Sequence, residues 1–396
     1  MSRQPNTMKP AELHAIEPAE RVTQLRPSGI RKFFELSDER DDVISLSVGE
    51  PDFPIPDVAR EAAIESLERD QTSYTTNRGT RRLREAIGDY VTRYGLEYDS
   101  ESEILVTTGV SEGIDLAMRA LVDPGDVVAV AEPGYLSYPA TAELAGGQVL
   151  PVPTRAADDF ALTYESLERA GADRADVLVY SFPNNPTGAV LEGDDLEGVA
   201  AFAREHDLVV LADEVYAALT YDGEHTSIAS LPGMRKRTVV FNGFSKAYAM
   251  TGLRLGYAMG PAPVVEAMNR IHQYTMLSAP TTAQHAAIAA LEAGDDAVDA
   301  MTSEYDRRRR FVLDRFEETG LDTFTARGGF YVFPAVPGGD DEQFATDLLD
   351  ETGVAAVPGS VFGVAGRGHL RVCYASSMDD LREAMDRIEA FLGQRR

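Results

Sequence analysis

Residues 238–260 read TVVFNGFSKAYAMTGLRLGYAMG and place Lys246 between two apolar runs. The runs TVVFNG (238–243) and RLGYAMG (254–260) are apolar enough to be strands covered on both faces. Lys246 therefore lies in a loop at the end of a buried strand, which is where open α/β sheets bind their ligands. A lysine amine in such a loop can form a Schiff base with a carbonyl compound. A lone lysine is more often a solvated surface charge, so this interpretation depends on its neighbours.

Further apolar runs precede this stretch and alternate with helix-like segments. Strands are predicted at EILVTTG (103–109), DVVAVAE (126–132), GQVLPV (147–152), DVLVYSF (176–182) and DLVVLAD (207–213). Helical periodicity is found in residues 79–95, 112–122, 193–206 and 262–274. This alternation predicts an α/β fold in which a mostly parallel sheet of seven strands has helices on both faces.

The C-terminal part of the chain has a different pattern. One long helical run, 283–317, is followed by the strand-like runs FYVFPAV (330–336) and HLRVCYA (369–375), with helices expected at 341–352 and 378–393. This pattern predicts a smaller α+β domain. We expect residues 1–30 to form an extended arm, residues 60–300 the large domain, and residues 31–59 with 301–396 the small domain.

Composition narrows the class of protein. The 396 residues include 37 basic and 65 acidic side chains, a formal net charge of −28, which disfavours nucleic acid and anionic membranes as partners. Because the acid is dispersed, the charge favours a solvated surface suited to high salt, as in a halophile. The single cysteine, Cys373, excludes a disulfide framework, and the spacing of the histidines indicates no metal site. With no membrane span or signal-like segment, we expect a cytoplasmic protein.

Other strand ends carry residues that suit an anionic ring compound. Arg254 lies among glycines, where a guanidinium can bind two phosphate oxygens, although a structural ion pair is the commoner role. Asp213 ends the run DLVVLAD and could keep a ring nitrogen protonated, with Tyr216 donating a hydrogen bond nearby. The alternative for Asp213 is a helix cap.

Two more loops follow strands. Asn185, in the turn SFPNNPTG (181–188), could present its amide to a ring hydroxyl, or it could belong to an ordinary tight turn. TTGVSEG (107–113) joins a strand to a helix, where the backbone N–H groups of Val110 and Ser111 could bind phosphate. Residues 243–247, GFSKA, approach the hydrolase motif G-x-S-x-G but lack its last glycine, which disfavours a hydrolase.

Taken in order, these segments resemble the fold-type I pyridoxal-phosphate aminotransferases of the aspartate aminotransferase family, class I/II. The resemblance runs from about residue 28 to the C-terminus. It rests on the ordered motifs SVGEPDF (47–53), YTTNRGTRRLREAI (74–87), TTGVSEGI (107–114), EPGYLSYP (132–139), NNPTG (184–188), ADEVY (212–216), SKAYAMTGLRLGY (245–257), GGFYVF (328–333) and HLRVCYA (369–375).

The resemblance implies a role for each matching residue. Lys246 would form the Schiff base with pyridoxal 5′-phosphate and move the proton, assisted by Asp213 at the ring nitrogen and Tyr216 at the ring hydroxyl. The other implied roles are the ring hydroxyl for Asn185, the ring face for Tyr135, the phosphate for Val110, Ser111, Ser245, Arg254 and Tyr74, and the substrate for Gly49, Asn185 and Arg371.

The resemblance also implies substrates and partners. An L-amino acid and a 2-oxo acid would exchange the amino group, and Tyr74 would reach the phosphate from a neighbouring subunit, which implies a homodimer. Related enzymes that act on acidic substrates can carry a lysine at the position of Ser111. Aspartate, alanine, aromatic and branched donors all stay open.

Proteins of other functions can carry these residues too. A β-lyase or a decarboxylase on the same scaffold would use Lys246 and Arg371 too, and product analysis distinguishes them. A cofactor-binding regulatory module is disfavoured, because no DNA-binding domain fits before residue 28 and the chain is acidic.

Overall fold

The computed structural model describes residues 17–25, 29 and 42–395 of the chain. Its strands, in chain order, are β1 (Ile44–Ser45), β2 (Ile104–Thr107), β3 (Val127–Glu132), β4 (Gln148–Pro153), β5 (Val177–Ser181), β6 (Val209–Asp213), β7 (Thr238–Gly243), β8 (Gly256–Met259), β9 (Tyr331–Val332), β10 (Val354–Ala355), β11 (Val357–Pro358) and β12 (Leu370–Cys373).

The helices that surround these strands follow the same order. They are α1 (Glu20–Thr23), α2 (Asp57–Glu68), α3 (Arg81–Val91), α4 (Val110–Leu121), α5 (Ser137–Ala145), α6 (Tyr164–Ala170), α7 (Gly193–Glu205), α8 (Ala262–Thr275), α9 (Thr281–Ala293), α10 (Asp295–Thr319), α11 (Asp341–Thr352) and α12 (Met378–Gly393). Within the described ranges, every helix lacks the apolar length that a membrane crossing requires.

The predicted seven-stranded, mostly parallel sheet is confirmed. Its order is β2-β8-β7-β6-β5-β3-β4, and only β8 runs antiparallel to its neighbours. Alternate residues of β5 serve opposite faces, since Val177 and Val179 join one buried cluster while Leu178 and Tyr180 join another. Helices cover both faces of the central strands, so β5, β6 and β7 are buried along nearly their whole length.

The sheet register brings the predicted loops together. Ser181 at the end of β5 pairs with Asp213 at the end of β6, and Asp213 pairs with Phe241 near the end of β7. Because the carboxyl ends of these parallel strands meet at one edge, the loops that carry Asn185 and Lys246 leave the sheet on either side of Asp213.

The long helix predicted at 283–317 is wrong in one respect, because two helices, α9 and α10, occupy this stretch. Gly294 separates them, and a Cβ atom there would lie 2.5 Å from the carbonyl oxygen of Ala290. Asp295 and Asp296 then start α10, where acidic side chains favour the positive end of the helix dipole.

A second core lies between α10, α11, α12 and the short strands of the C-terminal part. Its buried members include Tyr305, Phe330 and Phe391, and it reaches Leu46 and Tyr216 in other parts of the chain. This arrangement agrees with an α+β unit beside the sheet, while the domain boundaries at 60 and 300 stay a prediction. Most of the predicted arm lies outside the described residues; within 17–25, Glu20–Thr23 forms a helical turn rather than extended chain.

Candidate active site

A cavity of about 1350 Å³ opens at the carboxyl ends of β5, β6 and β7. It lies against both cores, and its walls come from residues that are far apart in the sequence. Of the predicted site residues, the cavity is lined by Gly49, Val110, Ser111, Tyr135, Asn185, Asp213, Tyr216, Ser245, Lys246, Arg254 and Arg371.

Asp213 is a buried carboxylate at the floor of this cavity. Its Oδ2 accepts a hydrogen bond of 2.8 Å from the hydroxyl of Tyr138, and its Oδ1 accepts one of 3.1 Å from the backbone N–H of Val215. Burial raises the pKa of Asp213 to about 6, against the lowering effect of these hydrogen bonds. A positively charged ligand atom beside it would therefore be strongly favoured, since it would restore the ionised carboxylate.

Lys246 is the amine of the cavity. Its Nζ donates a hydrogen bond of 2.6 Å to the backbone carbonyl of Gly49 and lies 5.8 Å from the ring centre of Tyr216 and 5.6 Å from that of Phe330. Burial lowers the pKa of Lys246 to about 8, although the nearby Glu50 carboxylate favours the charged form. The neutral amine is thus accessible just above neutral pH.

A pair of tyrosines stands beside Lys246. The Tyr216 and Tyr331 hydroxyls are 2.9 Å apart and both side chains are buried. A Cβ atom at position 49 would collide with the Tyr331 hydroxyl, so only glycine allows this segment to approach so closely. Burial raises the pKa of Tyr331, which keeps its hydroxyl protonated and able to donate.

The start of α4 forms a cradle with β8 and Arg254. Gly109 precedes the helix with a φ of +79° and caps it without any side-chain hydrogen bond. A Cβ atom at Gly256 would lie 2.6 Å from the backbone nitrogen of Val110, and one at Gly109 would lie 2.7 Å from Nη2 of Arg254. Glycines at both places let the guanidinium approach a helix N-terminus, and this combination suits a phosphate.

Arg371 is a buried guanidinium on the opposite side of the cavity. Its Nη1 donates to Asn185 Oδ1 at 3.1 Å, its Nη2 donates to the carbonyl of Ser47, and its ring neighbours Tyr331 and Phe362 each lie 4.9 Å away. Its Nε has no hydrogen-bond partner among the described residues. A buried donor without a partner is costly, so this nitrogen is suited to an incoming carboxylate.

These features together fit pyridoxal 5′-phosphate and an amino acid. The cradle suits the phosphate, the buried Asp213 suits a basic ring nitrogen, Lys246 suits the aldehyde, and the Nε of Arg371 suits the substrate carboxylate. One predicted residue lies elsewhere: Tyr74 is 80% exposed and does not line the cavity of its own chain.

The structure also adds residues that the sequence did not single out. Tyr138 reaches Asp213, Tyr331 reaches Tyr216, and Ser47 accepts from Arg371. All three lie inside motifs already noted, EPGYLSYP, GGFYVF and SVGEPDF. Position within a motif was the only available signal, because nothing in a sequence tells which tyrosine of a motif points inward.

Comparison with known proteins gives matches over nearly the whole chain. The family model "Aminotransferase class I and II" matches residues 41–388. Aromatic-amino-acid aminotransferase 2 of Thermococcus litoralis is 41% identical over 384 residues, which cover 96% of this chain and 99% of that protein. Aspartate aminotransferase of Pyrococcus abyssi is also 41% identical over 384 residues, with the same coverage of 96% and 99%.

A solved structure agrees in shape as well. Aspartate aminotransferase from Thermus thermophilus with maleate is 37% identical, has a TM-score of 0.90 and matches over 95% of this chain and 99% of that one. The chain belongs to the class I and II aminotransferases, enzymes that use pyridoxal phosphate to move the amino group of an amino acid to a 2-oxo acid.

Proposed function

We propose that this aminotransferase works through Lys246 and Asp213 at the cavity floor and Arg371 at its wall, on donors with uncharged side chains. The observation that carries the proposal is the meeting of three groups from distant parts of the chain: a half-buried amine with a lowered pKa, a buried carboxylate with a raised pKa, and a buried guanidinium with a nitrogen that has no partner among the described residues. Perturbed groups that converge in one cavity are typical of active sites.

The chain's own residues would hold the cofactor at both ends. Val110 and Ser111 at the start of α4, with Ser245 and Arg254, would bind the phosphate, and Asp213 would pair with the ring nitrogen. The remaining contacts would be the ring face for Tyr135 and the ring hydroxyl for Asn185 and Tyr216. When bound, pyridoxal phosphate supplies an electron sink for the electron pair that is left when the Cα–H bond breaks.

Lys246 would hold the cofactor and carry the proton of the reaction. A general base works best when its pKa lies near the operating pH, and burial brings the pKa of this amine to about 8. The Gly49 carbonyl, 2.6 Å from Nζ, aims the amine toward the cavity. The same amine can carry the proton between Cα of the substrate and the reacting carbon of the cofactor in either direction, which makes the exchange reversible.

Arg371 would fix the α-carboxylate of either substrate. Its contacts with Asn185 and Ser47 orient the guanidinium, which leaves the Nε edge for two parallel hydrogen bonds. Holding the carboxylate sets the position of the Cα–H bond relative to Lys246, and such positioning accounts for much of an enzyme's rate.

The cavity favours an uncharged donor side chain. Among the described residues that line it, the cationic side chains are Lys246, Arg254 and Arg371, and each has a role already. The remaining wall includes Tyr135, Val361 and Phe362, so no described cation is left for a second carboxylate. This observation favours aromatic and branched apolar donors over aspartate.

Spectroscopy of the cofactor-loaded protein tests this proposal. Phenylalanine, leucine, alanine and aspartate are added one at a time, and loss of the visible band is followed together with formation of the 2-oxo acid. We expect phenylalanine or leucine to act at least about tenfold faster than aspartate, as for a missing charged partner worth more than ~1.4 kcal/mol. Equal rates for aspartate would contradict the donor class, and pyruvate with a leaving group would indicate a lyase.

The rate of cofactor attachment should depend on pH through Lys246. Only the neutral amine attacks an aldehyde, and the lowered pKa makes that form abundant above about 8 rather than above 10.5. We therefore expect the rate of band formation in cofactor-free protein to rise with pH, with a midpoint near 8. A midpoint near that of an ordinary lysine would show that the amine is not buried as described.

We also propose that the working unit is a homodimer. Tyr74 and Tyr274 are 80% and 85% exposed, and Met276 and Leu277 are 46% and 41% exposed. The two segments adjoin, because the Asn77 side chain donates a hydrogen bond of 2.6 Å to the carbonyl of Leu277. Such an apolar patch is a surface that a second copy could cover. The cytoplasmic location stays a prediction from the sequence.

Mixing two inactive variants tests whether Tyr74 acts on the other subunit. Tyr74→Ala removes the tyrosine that we expect to reach the partner's phosphate, and Lys246→Ala removes the amine. A mixed dimer would keep one complete site, formed by Lys246 of one chain and Tyr74 of the other, so the mixture should recover activity. If Tyr74 acted within its own chain, every site of the mixed dimer would stay defective and nothing would be recovered.

A further inference from the structure

A hydrogen-bonded pair of side chains, Glu112 and His272, lies directly behind the proposed phosphate cradle. Glu112, in the first turn of α4, has its Oε1 at 2.7 Å from Nδ1 of His272, a fully buried residue in the last turn of α8. The other carboxylate oxygen accepts a hydrogen bond from the backbone N–H of Thr108. Because an ionised carboxylate only accepts, Nδ1 of His272 must be the donor.

The position of Glu112 is unusual for an anion site. An acidic side chain in the first turn stabilises a helix that has no anion at its N-terminus. When a phosphate binds there, the negative charge of that side chain repels it. Both oxygens of Glu112 are engaged with protein donors instead. Burial alone would raise the pKa of Glu112, and the hydrogen bonds from His272 and Thr108 more than offset that effect, so its pKa lies below the ordinary value.

The pair reaches the cradle from two sides. Thr108 precedes Gly109, whose left-handed φ of +79° sets the direction of the N–H groups of Val110 and Ser111. Helix α8 continues the chain from β8, whose Gly256 lies against the same turn. His272 Nε2 is buried without a hydrogen-bond partner among the described residues, and its Nδ1 is directed at Glu112.

We propose that Glu112 and His272 are positioning residues that hold the turn 108–111 ready for the phosphate of the cofactor. The proposal rests on the proposed function, in which this turn binds that phosphate. A hydrogen bond to the Thr108 N–H fixes the peptide that joins Thr107 to Thr108, one residue before Gly109, which has the most conformational freedom in the turn. Preorganising the turn would remove an ordering cost that phosphate binding otherwise bears.

Comparing pyridoxal phosphate with unphosphorylated pyridoxal tests the proposal. Both compounds react with Lys246, and their dissociation constants can be measured from the visible band. The dissociation constant of pyridoxal divided by that of pyridoxal phosphate therefore reports on the phosphate alone. We expect Glu112→Ala to reduce that ratio about tenfold, while Glu112→Gln keeps most of it, because an amide can accept from Thr108 and donate to His272. Asp115→Ala is the matched control, since that carboxylate lies one turn along α4 and pairs with Arg119.

Each outcome has a clear meaning. An unchanged ratio in Glu112→Ala, or an equal loss of affinity for both ligands, would overturn the positioning role. Loss of the ratio in Glu112→Gln as well would also overturn it, because charge rather than the hydrogen bond would then matter. If Glu112→Ala does not fold, as judged by its melting temperature, His272→Ala gives the same comparison, because it removes the donor to Glu112. A wild-type protein that binds both ligands equally would instead refute the proposed phosphate site.

Discussion

Replacing Lys246 by alanine is expected to lower amino transfer by at least about 10⁴-fold, the upper range for a general base, and to abolish the visible band of the bound cofactor. The reason is that one amine both holds the cofactor and moves the proton. No other lysine lines the cavity among the described residues, so no neighbour can replace it. Absorption spectra and single-turnover rates measure the two losses separately.

A small added amine provides the control for this variant. The cavity left by the lysine side chain should admit methylamine, which can act as a base without being attached to the chain. Partial recovery of the rate would show that the missing amine is the defect. A variant that keeps both the band and the rate would remove Lys246 from the proposed mechanism, while a misfolded protein is recognised by its melting temperature.

Replacing Arg371 by lysine is expected to weaken the binding of every amino acid by about 2 kcal/mol or more, or roughly 30-fold in kcat/KM. A lysine keeps the charge but presents a single nitrogen, so it cannot form two parallel hydrogen bonds with a carboxylate. It also replaces the two nitrogens that donate to Asn185 and to the Ser47 carbonyl by a single one. Steady-state kinetics with several donors would measure the loss.

Discrimination against a substrate without a carboxylate sharpens this test. Phenethylamine is phenylalanine without its carboxyl group, so wild-type protein should prefer phenylalanine and Arg371→Lys should prefer it much less. Arg367→Lys makes the same chemical change at an exposed position and should change neither rate. An unaltered preference in Arg371→Lys would exclude the proposed carboxylate contact.

The fold was predicted best where the residue pattern is local. All seven strands of the sheet appeared in the sequence as short, mainly apolar runs, because helices cover most of their positions. The prediction of one continuous helix at 283–317 was wrong because a single glycine, Gly294, interrupts the helix without changing the pattern of apolar and polar residues. A pattern of apolar residues carries no information about a position, such as 294, where a side chain would collide with the backbone.

The sequence predicted some residues of the candidate site and missed others. Lys246, Asp213 and Arg371 were identified from motifs, and the structure brings them to one cavity. Tyr138 and Tyr331 were missed, although their hydroxyls lie at 2.8 and 2.9 Å from Asp213 and Tyr216. Each of these contacts joins residues separated by 75 or 115 positions, and no local signal specifies such a partner.

By itself, the sequence determined the α/β class, the order of the strands along the chain and the loops that carry chemistry, because these depend on periodicity and on the residue types at strand ends. Only the tertiary structure decided that an amine from one loop and a guanidinium from the far end of the chain face the same buried volume. That burial, rather than residue type, lowers the pKa of Lys246 to about 8 and raises that of Asp213 to about 6. The physical reason is that desolvation depends on all the neighbours of a group, and those neighbours are assembled only when the sheet and the second core pack together.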